Sequence, residues 1–127
     1  MTEITLLERE STNAIIGAFF EVYNTLGYGF LENVYSLALE RGLLARARAV
    51  GREVPIPITY KGDFLTHHRA DLIVDEKVIV EVKSTVVMAP FTKRQVTNYL
   101  RATKLEVALI LHFGPEAKFY RVVCSNG

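Results

Sequence analysis

Arg69-Ala70-Asp71-Leu72-Ile73-Val74-Asp75-Glu76-Lys77-Val78-Ile79-Val80-Glu81-Val82-Lys83 sets two runs of β-branched and aliphatic residues on either side of a polar cluster. That pattern predicts two strands joined by a turn. Alternation puts Glu81 and Lys83 on one face of the second strand and Val78, Val80 and Val82 on the other. With a three-residue loop of Asp75, Glu76 and Lys77, Val74 pairs with Val78 and Asp71 falls opposite Glu81. A two-residue loop would instead pair Asp71 with Val80 and send the carboxylates to opposite faces. Two carboxylates in apolar strands are costly to bury unless a cation or hydrogen bonds compensate them, and Lys83 offsets only part of that charge. Oxygen ligands suit magnesium, which needs one or two protein carboxylates beside its waters and a substrate phosphate.

Working outward, residues 54–60 read as a strand carrying Pro55 and Pro57, which belongs at a sheet edge. Residues 64–74 and 78–83 follow as strands. Upstream, Leu7, Ser11, Ala14, Ile15, Ala18, Phe19 and Val22 recur at helical spacing, so residues 4–26 are expected to be a helix ended by Gly27-Tyr28-Gly29. A second helix is expected from residue 31 to about 48, with Leu31, Val34, Tyr35, Ala38, Leu39 and Leu43 on one stripe and Gly51 closing the segment. The short glycine turn between them implies an antiparallel pair. Downstream, a third helix over 92–103 precedes strands over 107–113 and 118–123, separated by Gly114-Pro115. Two helices, three strands, a helix and two strands make an α/β or α+β fold, with residues 1–127 forming one domain.

Composition narrows the chemistry. Half of the 127 residues are apolar, which suits one core. The 15 Lys+Arg against 14 Asp+Glu exclude a global basic field, so any nucleic-acid contact must be local. The single cysteine, Cys124, cannot form an internal disulfide, and no run is long and apolar enough for a membrane span or signal peptide. A cytoplasmic setting and no membrane partner are expected.

Other residues could serve the same centre. Glu32 stands at the start of the second helix, where a carboxylate also suits the helix dipole, with Tyr35 one turn on. Gln95 and Tyr99 are a turn apart on the third helix, and Lys93, Arg94 and Arg101 add positive charge that suits a nucleic-acid backbone. Arg69 is either a phosphate contact or a partner of Asp71 or Glu81. The plainer readings are a surface ion-pair cluster for Asp71, Glu81 and Lys83, a core tyrosine for Tyr35, and a solvated helix face for Gln95 and Tyr99. His67 would share a strand face with Arg69 and Asp71. Neither it nor His68 nor His112 has zinc-like spacing, so all three read as bystanders. Cys124 has no local base. The spaced arginines over 41–52 read as a solvated helix face.

Gly29-Phe-Leu-Glu32-Asn-Val-Tyr35 resembles the signature of the small bacterial GxxExxY proteins, a branch of the PD-(D/E)XK nuclease superfamily. Arg69-Ala-Asp71-Leu-Ile-Val, Lys77-Val-Ile-Val-Glu81-Val-Lys83 and Gln95-Val-Thr-Asn-Tyr99-Leu resemble further blocks of that branch in the same order. One departure is Ala70, where the superfamily's name has proline. The resemblance implies a restriction-endonuclease-like core, a mixed four- or five-stranded sheet flanked by helices. It also implies metal-dependent hydrolysis of nucleic acid through a water on magnesium or manganese. By the same resemblance Asp71, Glu81 and the Val82 carbonyl would be metal ligands, Glu32 would assist them, Lys83 would be the catalytic lysine, and Gln95 and Tyr99 would match a Q-x-x-x-Y pair. DNA is the expected substrate ahead of RNA, handled by a homodimer or with a partner protein. The alternative is a catalytically silent domain that keeps the fold for binding or assembly.

Overall fold

The computed structural model describes residues 8–125, so the expected helical start over 4–7 lies outside the described residues. Within them the order is α1 (Arg9–Leu26), α2 (Glu32–Ala45), β1 (Val50–Tyr60), β2 (Asp63–Val74), β3 (Val78–Lys83), α3 (Thr92–Thr103), β4 (Val107–Phe113) and β5 (Ala117–Val123). The strands form one sheet in the order β1-β2-β3-β4-β5. Only the β3–β4 pair is parallel, because α3 carries the chain back between those two strands. This is the expected α+β architecture: a five-stranded mixed sheet flanked by helices.

The apolar faces explain the layering. Ile15 and Phe19 of α1 and Leu39 and Leu43 of α2 pack with Leu72, Val80 and Leu109 on one side of the sheet. Val96 and Leu100 of α3 cover Ile79, Ala108 and Ile110 on the other. β4 is buried along its whole length, which is why its sequence is apolar throughout apart from His112. β1 is an edge strand, and there a proline's missing N–H can face the open side without costing a ladder bond.

The β2–β3 hairpin takes the longer loop, with Val74 opposite Val78. Asp75 and Glu76 both adopt left-handed backbone, φ 55° and 58°, and the Lys77 N–H donates to the Val74 carbonyl at 3.0 Å. Such conformations cost roughly 1–2 kcal/mol per non-glycine residue. Asp75 offsets this by accepting hydrogen bonds from the Ser11 hydroxyl at 2.5 Å, the Ala49 N–H at 3.0 Å and the Arg48 guanidinium at 3.2 Å. Partial burial pushes its carboxyl up, but the Ser11, Ala49 and Arg48 contacts together hold it below its usual range.

Two expectations for α2 need correction. Gly51 does not close the helix but lies inside β1, and α2 ends at Ala45. The reversal is made by Ala47 at φ 60°, with the N–H groups of Arg46, Ala47 and Arg48 turned back onto the Leu43 and Leu44 carbonyls. Arg48 fixes that turn by pairing with Glu10 and Asp75, so no glycine is needed. Leu31, placed on the buried stripe by its spacing, is the exposed N-cap residue. The buried set of α2 is Tyr35, Ser36, Leu39 and Leu43.

Strict alternation fails in β1 and β2. Leu72 and Val74 pack on the α1–α2 side, whereas Ala70, of the same parity, packs on the α3 side with Ile56. β1 changes faces at the same level, since Val50 packs with the first cluster and Ile56 with the second. The switch falls where Glu53 takes φ 55° across from Asp71, between the Arg52–Leu72 and Val54–Ala70 pairs. A local twist of this kind rotates every residue beyond it to the other face.

Candidate active site

Asp71 stands where β2 leaves β3. The ladder runs Val74–Val78, Ile73–Ile79, Leu72–Val80 and then stops. In place of the next backbone bond, the Val82 N–H donates to Asp71 Oδ2 at 2.7 Å. Glu81 occupies the position opposite Asp71 and is buried, 3% exposed. Burial, and then the charge of Asp71, push the Glu81 carboxyl up to about 8, against the opposing pull of Lys83 and of the Asp71 backbone N–H. Asp71 is raised as well, by burial first and then by Glu32, while the Val82 N–H and Lys83 pull it down.

Glu32 reaches this pair from the other side of the sheet end. It begins α2, and its Oε2 accepts the Ser84 N–H at 3.3 Å, just beyond Lys83. The Ser84 hydroxyl donates to the Phe30 carbonyl. Tyr35, fully buried, stacks on Phe113 with ring centres 3.9 Å apart. Its hydroxyl donates to the Gly27 carbonyl at 2.7 Å and accepts the Phe30 N–H at 3.3 Å. Gly27 and Gly29 lie at φ 71° and 108°, which only glycine adopts readily, so residues 27–31 fold tightly over Tyr35. Tyr35 is therefore the core tyrosine of the plainer reading, and it anchors the segment that presents Glu32.

The face switch changes which histidine meets the acidic residues. His68, not His67, faces Glu81, its Nε2 lying 3.4 Å from Glu81 Oε1. Burial and then the charge of Lys83 lower His68's pKa, which favours the neutral imidazole beside Glu81. The His68 ring stacks on Tyr99 at 3.8 Å and 5°. Tyr99's own pKa is raised by burial and by the charge of Glu81, which places it at the same wall. Sequence reading missed His68 because alternation back from Asp71 selects His67. The one hint was that the same alternation turned Arg69 inward, an unfavourable place for it.

The remaining candidates are exposed. Gln95 is exposed on the first turn of α3, a turn before Tyr99, and Arg94 is exposed beside it. Lys93 sits over the Tyr120 ring of β5 at 4.7 Å. Arg69 is exposed and is not among the charges acting on Asp71 or Glu81. The arginines over 41–52 include three that pair with acidic residues, Arg46 with Glu21, Arg48 with Glu10 and Asp75, and Arg52 with Glu40, as a solvated face would. Ser84, which holds both Glu32 and Phe30, carried no signal in the sequence.

The donor chemistry suits a hard divalent cation. Glu32 raises the proton affinity of Asp71 and of Glu81, and Asp71 raises that of Glu81, with Lys83 as the nearby positive charge. Among the described residues no three His, Cys, Asp or Glu side chains already converge at metal-binding range. Two carboxylates with water and a substrate phosphate are enough for magnesium, which rarely takes an all-protein cage.

The family model described as the PD-(D/E)XK nuclease superfamily matches residues 9–122. The solved crystal structure of SSO0001 is similar in fold, with a TM-score of 0.58 at 20% sequence identity, over 75% of this chain and 50% of that one. The chain thus spans about half the length of that protein. No curated protein matches by sequence. The five-stranded mixed sheet with its flanking helices is that of a restriction-endonuclease-like fold.

Proposed function

Because the chain belongs to the PD-(D/E)XK nuclease superfamily, we propose that it hydrolyses phosphodiester bonds in nucleic acid with a divalent cation, magnesium or manganese, held by Asp71, Glu81 and the Val82 carbonyl with Glu32 assisting. The observation that carries this reading is the buried Glu81 carboxyl. It faces a second carboxylate in an apolar sheet, and its proton affinity is so high that the charged form needs a cation beside it. Such a cation supplies Lewis-acid polarisation of a phosphoryl oxygen and neutralises developing charge.

The chain's own residues do the rest. The Val82 N–H fixes one oxygen of Asp71 and leaves the other to a ligand. His68 holds Glu81, and Tyr99 holds the His68 ring by stacking on it. Lys83 emerges beside both carboxylates and contributes a positive charge for the phosphate in the transition state. The motif from Gly29 to Tyr35 supports membership of the GxxExxY branch, with DNA as the substrate ahead of RNA.

The test is cleavage of single-stranded, duplex and branched DNA and RNA with magnesium or manganese, comparing the wild type with Lys83→Ala. Loss of about 10²-fold or more in rate is expected for the variant. Equal activity in both proteins would assign the cleavage to a contaminant or another centre. A second reading keeps the fold and its polar cluster for binding alone. In it the domain binds nucleic acid or a partner without turnover, and tight binding with no cleavage under any divalent ion would establish it.

A further inference from the structure

A cavity of about 460 Å³ opens directly beside Glu32. Tyr28, Phe30 and Leu31 form one wall, Val86 of the β3–α3 loop forms the other, and Phe113 lines it from the core. The wall residues are solvent-facing, with Tyr28 55%, Phe30 46%, Leu31 80% and Val86 73% exposed. Val87 and Phe91, on the same loop, are also solvent-facing, at 77% and 60%. An exposed apolar concentration of this kind marks a binding surface.

We propose that this cavity seats an unpaired nucleobase next to the scissile phosphate, so that the substrate is single-stranded nucleic acid or an unpaired end. This rests on the nuclease reading and names its substrate class. Three observations select that occupant. Glu32 lines the cavity and also acts electrostatically on Asp71 and Glu81, so whatever fills the cavity lies against the acidic centre. Apart from Glu32 the side chains lining it are uncharged, with the Tyr28, Ser84 and Thr85 hydroxyls as the polar groups, which suits the π-face of a base rather than a phosphate. The aromatic wall is also preorganised: the Phe30 N–H is held by Tyr35, the Phe30 carbonyl by Ser84, and the Gly27 carbonyl by Tyr35. Little ordering entropy is then lost on binding. A base inside a duplex has both faces covered by its neighbours and cannot enter, whereas an unpaired base can.

The experiment uses the cleavage-deficient Lys83→Ala protein with calcium. The probe is a short single-stranded oligodeoxynucleotide carrying 2-aminopurine, its ribo counterpart run in parallel and the matched blunt duplex as control. Stacking against Tyr28 or Phe30 is expected to quench the fluorescence. The single strand should bind at least tenfold more tightly than the duplex, and Tyr28→Ser with Phe30→Ser in the same background should weaken it about tenfold or more. Circular dichroism of each variant separates lost stacking from lost folding, and Leu31→Ser offers a second wall variant free of aromatic core contact. Equal binding of duplex and single strand, or quenching unaffected by any wall variant in a folded protein, overturns the proposal. Cleavage by the wild type without such quenching would sink the base pocket and leave the nuclease reading standing. Quenching without cleavage would do the reverse.

Discussion

Glu81 concentrates the chemistry into one titration. Its folded-state carboxyl lies at about 8, raised from its ordinary 4.5 by burial and by Asp71. The folded protein therefore holds this proton more tightly than the unfolded chain. The resulting stability is fully present below about pH 4.5 and is lost as pH rises toward 8. Chelator-treated protein should thus melt at progressively lower temperature between pH 5 and pH 8, and Glu81→Gln should flatten that slope; identical slopes in the two proteins would contradict it. The carboxylate pairing was legible only as a choice between two loop lengths, of which the three-residue loop brings Asp71 opposite Glu81 and the two-residue loop does not. His68 was not legible, since a period-2 reading carries no information about where a strand changes faces. The left-handed Glu53 that accompanies the change has no sequence signal of the kind glycine or asparagine would give.

Tyr35 shows how a core residue can serve a site it does not enter. Tyr35→Phe keeps the stack on Phe113 but removes the hydroxyl that joins Gly27 and Phe30. The expected loss is about 1 kcal/mol in urea denaturation, from the two hydrogen bonds removed at partly buried backbone groups. Activity should fall with it, because Glu32 and the adjoining apolar wall share that anchor. A Tyr35→Phe protein as stable as wild type would show that the anchor is not needed. The segment from Gly27 to Tyr35 was readable, since glycine turns and helical periodicity are local signals. Its neighbour's end was not: α2 stops at Ala45 because Arg48 is tied to Glu10 and Asp75, residues distant in sequence. The third helix and β4 had accurate boundaries for the opposite reason, an amphipathic stripe and an unbroken apolar run whose ends coincide with the layers they fill.

At the scale of the whole molecule, α1 and α2 cover one face of the sheet, and α3 and the acidic centre lie on the other. No helix among the described residues is long and apolar enough to cross a membrane. If a cation binds the folded state alone, saturation should raise the melting temperature. At a hundredfold excess over Kd the gain is about 2.7 kcal/mol, or roughly 10 °C for a domain of this size. Asp71→Asn/Glu81→Gln should abolish the shift, and an equal shift in that variant would place the cation elsewhere. The order of elements and the mixed sheet were readable because each strand and helix carries its own period, whereas the surface of residues 27–31 and 84–91 takes shape only when the ends of α1 and β3 meet. The two rims of the sheet differ in kind. Pro55 and Pro57 deny β1 two backbone donors, while Lys118 and Arg121 place cations along β5. Strand-by-strand polymerisation between molecules, the route by which open sheets become fibres, is therefore resisted by covalent geometry at one rim and by charged side chains that would have to be desolvated at the other.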